Sequence, residues 1–355
     1  NKKKPFAGTN TSENEVLFSI GTIFRIQNIG KLKDINNKVW FINLTLEDDN
    51  ENEAHMQELM ASTMAKISAR PTVGSIADVL RNMGECQKAQ KYYEIALKNI
   101  PSNDINNIAR ITTYIGDCKT EDHLALNKYM DALNKLEEQS PELNRIFVAQ
   151  LYDKIGVVNF KLSNYTEALI HHEIAMAIYK NESLEEGVYC FALTYYNIGR
   201  VHDKLDDKQN AVKYLRKSID LFLESSLSEK SDSAIVYSEL GRIYSSLKDY
   251  DKSLQYLKEA LDINNKSPYL TKKSLIARNY YDIGVVLYEK NTEDEKALEA
   301  FQNAITIYGK ISPIDREMLA KLHDNMAMIY CREKKWIRAC QAYTKSCEYR
   351  FGDKC

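Results

Sequence analysis

Residues 194–218 read TYYNIGRVHDKLDDKQNAVKYLRKS, and the fold follows from how this stretch recurs. Gly199 anchors it. Twelve residues on stands a small residue, Ala211; four later a bulky one, Leu215; three later another small one, Ser218. The series returns as Ala77 with Ala89, Tyr93 and Ala96, and as Gly156 with Ala168, His172 and Ala175. It returns again as Gly241 with Ser253, Leu257 and Ala260, and as Ala327 with Ala339, Tyr343 and Ser346. Gly284 carries one extra residue before Ala297, Phe301 and Ala304. From Gly156 to Ala327 the anchors stand 42 or 43 residues apart, and a seventh, degenerate copy is expected near Ala109. Spacings of three and four place these residues on one helix face. The anchor and the small residues mark a close crossing of two helices, and the bulky residue fills the gap to the next pair. One pair cannot bury its apolar face alone, so stacked pairs build a continuous core.

The small-x3-bulky-x2-small pattern resembles the second helix of a tetratricopeptide repeat, with Pro101 where that family ends the helix. The Ile-Gly or Leu-Gly anchors at Ile155-Gly156, Ile198-Gly199, Leu240-Gly241 and Ile283-Gly284 disfavour HEAT-type arrays. The period exceeds the usual length of about 34, so longer helices or longer connections are expected, in particular at 181–187, 225–232 and 264–273. The stretches resemble the long repeats of kinesin light chains, a cargo-adaptor family. The expected fold class is therefore mainly α: a right-handed α-solenoid of about seven helix pairs over residues 72–355, a linker or helix at 51–71, and a short β-hairpin within 1–50.

That resemblance implies that first helices line a concave face. Counting three before and one after each anchor, the inward positions read Asp153, Tyr196, Ser238, Tyr281 and Asp324, then Val157, Arg200, Arg242, Val285 and Met328. Tyr196, Arg200, Arg242 and Tyr281 are the expected binding residues for an extended protein or peptide, because Arg pairs carboxylates and Tyr stacks while offering a hydroxyl.

Composition agrees with such a role. The 355 residues are 44% apolar and 28% charged, with 13 Gly and 6 Pro, a balance that favours long helices. A net charge of −2 carries no nucleic-acid footprint, and no run of 18 apolar residues predicts a membrane span. The seven cysteines include no Cys-x-x-Cys pair and are expected to be reduced thiols, with a cytoplasmic setting favoured for the repeats. No Gly-x-Gly-x-x-Gly or Walker loop is present. His171-His172-Glu173 is not expected to bind metal, since adjacent helical side chains diverge. Cys340 and Cys347 share a helix face without the His or Asp to complete a tetrahedral set. The Asn-x-Ser/Thr sequons, such as Asn43-Leu44-Thr45, matter only in a secreted protein.

Residues 15–47 have another texture. Val16-Leu17-Phe18, Thr22-Ile23-Phe24-Arg25-Ile26 and Val39 to Leu46 are rich in β-branched and aromatic residues and read as an antiparallel hairpin around a turn-forming segment. A lone hairpin is marginal in water, so a domain beginning upstream of Asn1 is expected. Glu13 and Glu15 open this region, and residues i and i+2 share one face of a strand. With the Val-Leu-Phe-Ser and Thr-Ile-Phe-Arg-Ile that follow, the stretch resembles the C-terminal end of arginine-specific mono-ADP-ribosyltransferases, some of which carry C-terminal tetratricopeptide repeats. The resemblance implies NAD as substrate. It implies Glu15 as the catalytic carboxylate on the nicotinamide ribose, stabilising positive charge as it develops. Glu13 would orient the acceptor guanidinium. The family's upstream arginine and Ser-Thr-Ser strand are missing from this chain, so it is expected to hold no cofactor and to turn over no NAD by itself.

Overall fold

The computed structural model describes residues 24–31, 40–46, 72–139, 145–181, 188–224, 232–266, 273–311 and 315–352. The chain divides into two compact units, Asn1–Pro71 and Thr72–Cys355. Glu13, Glu15, the strand expected at residues 16–18 and the linker or helix expected at 51–71 lie outside the described residues.

In the first unit, β1 (Phe24–Lys31) pairs antiparallel with β2 (Trp40–Leu46). The register runs from Phe24 opposite Leu46 to Lys31 opposite Trp40, with an irregularity between Ile26 and Asn28. The sequence reading ended the first strand at Ile26. Pairing with β2 instead carries it through Gly30 to Lys31, because ladder hydrogen bonds override the local signal for a turn.

The second unit holds fourteen helices among its described residues, in seven consecutive pairs. They are α1 (Val73–Asn82) with α2 (Cys86–Asn99), α3 (Ile105–Asp117) with α4 (Asp122–Gln139), and α5 (Arg145–Lys161) with α6 (Tyr165–Asn181). Next come α7 (Val188–Lys204) with α8 (Lys208–Glu224) and α9 (Ser233–Ser246) with α10 (Tyr250–Lys266). The series ends in α11 (Lys273–Lys290) with α12 (Asp294–Tyr308) and α13 (Arg316–Arg332) with α14 (Trp336–Phe351). Helices α5 to α8 each have 17 residues. Two such helices already fill a repeat of ordinary length, which accounts for the long period.

Within most pairs the turn is built one way. Seven residues after the anchor, Ser163, Asp206, Lys248, Asn291 and Lys334 take φ between 58° and 64°, and Gly84 takes 77°. The following amide then reaches five residues back, as in Asn164 N–H to the Asn159 carbonyl at 2.9 Å and Asp249 N–H to the Tyr244 carbonyl at 2.9 Å. This Schellman closure satisfies the last carbonyls of the first helix and reverses the chain. Elsewhere capping is by side chain: Asp104 and Asp315 accept from the amides of Asn107 and Met318 at 3.3 and 2.9 Å.

In the five pairs with a glycine anchor, the bulky residue of the second helix seats on the anchor of the first. A Cβ built on Gly199 would lie 2.7 Å from the Leu215 side chain, and one on Gly284 2.5 Å from the Phe301 ring. The second copy has the same construction at Gly116, whose Cβ would lie 2.6 Å from the Tyr129 ring. Its anchor is therefore Gly116 and not the region of Ala109, and its small-bulky-small series is Ala125, Tyr129 and Ala132, all buried. The Ile115-Gly116 dipeptide was legible. From Gly116 to Ala125 is nine residues where most copies have twelve, which broke the count.

Successive first helices α5, α7, α9, α11 and α13 pack against one another, whereas each second helix packs chiefly on first helices. First helices thus converge on the inside of the curvature and present the concave face.

Candidate functional site

Tyr196, Arg200 and Arg242, three of the four expected groove residues, line one cavity of about 500 Å³ on the concave side, together with Phe160, Arg278 and Asn279. Tyr196 and Arg200 stand on α7, Arg242 on α9, and Arg278 and Asn279 on α11. Tyr281 opens instead on an adjoining cavity of about 550 Å³, which shares Arg242 and Ser246 with the first. Tyr250 and Leu257 of the second helix α10 also line the adjoining cavity.

Other expected inward positions are used differently. Asp153 is turned into the interior. Its carboxylate takes the His172 Nδ1 contact at 2.7 Å and the Thr194 hydroxyl at 2.5 Å, so it joins α5, α6 and α7. Burial pushes this carboxyl above its ordinary range, against the hydrogen bonds from His172 and Thr194. Asp324 pairs with Arg350 of its own helix pair. Met328 is exposed. His171 meets the Glu167 carbonyl on the surface while His172 is buried over Gly156, so the two rings diverge.

The Asp153 network makes a stability prediction. Asp153→Ala strands the His172 nitrogen in the core and should cost about 3 kcal/mol, the scale of removing one partner of a buried pair. Adding His172→Leu should recover much of that, because Leu215 and Leu257 fill the same place in later copies and Thr194 keeps its bond to the Cys190 carbonyl. Urea titration of both variants decides it; equal loss in the two would refute the pairing.

The first cavity is cationic. Arg200, Lys204, Lys208, Arg242 and Arg278 line it against Asp203 and Glu239. The acids are engaged: Asp203 holds Lys208 at 2.7 Å, and Glu239 pairs with Arg242 one turn along α9. Arg200 lies over Phe160 and Tyr196, its guanidinium carbon 4.3 and 5.4 Å from the ring centres. That stacking positions the charge without neutralising it. Among the described residues neither Arg200 nor Arg278 has a carboxylate in ion-pairing range.

Behind them sits Asp282, with one oxygen unbonded and Arg242 3.8 Å away. Burial raises its carboxyl above the ordinary range, against Arg242 and Arg278. Burial holds the Arg242 guanidinium below its ordinary value against the pull of Asp282, and Arg278 and Arg200 add to the depression. Asn279 is 1% exposed; its Oδ1 accepts from Ser238 at 2.7 Å, and its amide Nδ2 has no partner. An unpaired buried donor among unneutralised guanidiniums is built to meet oxygen acceptors.

The sequence reading missed Arg278, Asn279 and Phe160. Arg278 stands six residues before Gly284, one turn above Tyr281 on the same helix face, so counting at i−3 from the expected position would have reached it.

The tetratricopeptide repeat family model matches residues 147–224 and 232–310, the span of α5 to α12, and these stretches are tetratricopeptide repeats. Among solved structures, aspartyl phosphate phosphatase F from Bacillus subtilis is similar with a TM-score of 0.54 and 16% identity, over 86% of this chain and 85% of that one. BtubC (BKLC) from P. vanneervenii is similar at 0.53 and 16% identity, over 64% and 90%. A Rap protein complexed with competence and sporulation factor is similar at 0.52 and 18% identity, over 78% and 75%. At these identities the likeness is one of fold. The chain matches no curated protein sequence.

Proposed function

We propose that the Thr72–Cys355 unit is a protein-binding scaffold whose concave face holds an extended, acidic segment of a partner. The observation that carries this reading is the cavity where Arg200 and Arg278, free of carboxylate partners, surround the unpaired Asn279 amide. Side-chain carboxylates of the ligand take the guanidiniums, and a backbone carbonyl takes the Asn279 amide. The adjoining cavity at Tyr281 receives the next residues of the same segment. The Rap structure with its bound factor supports the reading as a related fold named with a ligand. A panel of acidic, neutral and basic peptides tests it by fluorescence anisotropy. Acidic peptides are expected to bind best, and preference for neutral or basic ones would sink the proposal.

A second reading concerns the first unit. The antiparallel pairing of β1 with β2 agrees with the strand texture that accompanies the transferase resemblance, while the family match begins only at residue 147. On this reading Glu15 is the catalytic carboxylate and Glu13 orients the acceptor arginine in a longer protein, with the repeats selecting its protein substrate. Transfer of labelled ADP-ribose from NAD to an arginine acceptor by that longer protein, lost in Glu15→Gln, is the expected result. Transfer that survives the change removes Glu15 from the chemistry.

A further inference from the structure

Three guanidiniums converge on one cavity from three successive first helices: Arg200 of α7, Arg242 of α9 and Arg278 of α11. They are close enough to feel one another. Burial first, then the like charges of Arg278 and Arg200, hold the Arg242 guanidinium below its ordinary value. Like charges gathered without a counter-charge repel, and a ligand that supplies the counter-charge relieves that repulsion. Its size can be read from the lining. Arg200, Lys204, Lys208, Arg242 and Arg278 face Asp203 and Glu239, with Asp282 behind Arg242. Among the described residues these acids offset three of the five bases and leave two positive charges.

We propose, building on the acidic-segment reading of this cavity, that the anion seated between Arg200, Arg242 and Arg278 is a phosphorylated side chain, so that the array reads the phosphorylation state of its partner. A carboxylate brings one negative charge and two oxygens, whereas a phosphate monoester brings about −1.5 to −2 charges and three strong acceptor oxygens. Two carboxylates on one face of an extended segment stand roughly 7 Å apart, so they cannot place that charge at a single point. The donors suit the phosphate group. Each guanidinium offers paired N–H groups that take two oxygens at once. Arg200 is held in place beforehand by Phe160 and Tyr196. Asn279 is 1% exposed and its Nδ2 has no partner. That amide nitrogen carries two donors, one for the ligand backbone and one for a phosphate oxygen. Ile235, Ile243 and Leu275 complete the wall, and apolar surroundings strengthen these contacts.

Three peptides with identical acidic flanks and a central phosphoserine, Glu or Ser test this by fluorescence anisotropy, against the full chain and its Arg278→Gln and Arg200→Gln variants. The phosphoserine peptide is expected to bind at least about 10-fold more tightly than the Glu peptide, and each variant to shrink that preference to about 2-fold. Circular dichroism of each variant is compared with that of the unaltered chain, so one well-folded variant suffices. Inorganic phosphate alone, added as a competitor, should displace the phosphopeptide far more weakly than the unlabelled phosphopeptide does. Equal affinity for the phosphoserine and Glu peptides overturns the proposal and leaves the acidic-segment reading standing, whereas failure of all three peptides to bind overturns both. A preference for phosphoserine that survives undiminished in the folded variants places the phosphate elsewhere and also overturns it. Inorganic phosphate that competes as well as the phosphopeptide makes the free ion the occupant, with the same consequence.

Discussion

Gly241→Val is expected to destabilise the array by at least about 3 kcal/mol, at the upper end of what overpacking a well-filled core costs. The first added carbon would lie 2.6 Å from Leu257 Cγ and 3.3 Å from the Ser253 carbonyl oxygen. Leu257 is fully buried. It can leave only by driving α10 away from α9, and the carbonyl belongs to backbone that cannot give. Ser253 adds a tether, since its hydroxyl donates to the Gly241 carbonyl at 2.7 Å across the same crossing. The control is Gly74→Ala, where the new carbon would find only Thr72 Oγ1 at 3.7 Å. It should be neutral or raise stability slightly, because Ala restricts the unfolded chain more than Gly. Thermal melts followed by circular dichroism compare the two; similar small effects would mean that the anchors do not set the helix crossing.

Arg278→Glu is expected to weaken binding of acidic peptides about 100-fold, since reversing one member of a desolvated charge contact costs at least 2 kcal/mol or so. Arg278 makes no ion pair among the described residues, but it is one of two guanidiniums that favour the buried Asp282 carboxylate, so the variant's circular dichroism spectrum is compared with that of the unaltered chain. The change should also flatten the salt dependence of binding, as fewer ligand charges are then neutralised. Arg242→Glu is the poorer probe, because Arg242 also holds Glu239 and faces Asp282. Isothermal titration with one acidic peptide at two salt concentrations reads both effects. Unchanged affinity in Arg278→Glu would move the ligand elsewhere on the concave face, to the Tyr281 cavity first.

The groove was partly legible in advance. Tyr196, Arg200 and Arg242 were found by counting from anchors, because a helix keeps its phase and 43 residues bring it back to the same face. The same count failed at Asp153. A periodic rule gives the direction of a backbone position, whereas His172 and Thr194, 19 and 41 residues along, decide where that carboxylate turns. It failed again at Ala109, because the rule assumes about twelve residues from anchor to small residue and this copy has nine, Gly116 to Ala125. The left-handed residues Ser163, Asp206 and Lys248 passed unnoticed because none is glycine, the residue that usually marks such a turn.

By itself the sequence determined the repeat, its long period and the number of helix pairs. These are one-dimensional properties: each pair contacts chiefly its neighbours, so spacing along the chain maps onto spacing in the stack. Only the tertiary structure decided which charges remain unneutralised. Arg200, Arg242 and Arg278 are 78 residues apart from first to last, and whether each meets an acid depends on how α7, α9 and α11 converge.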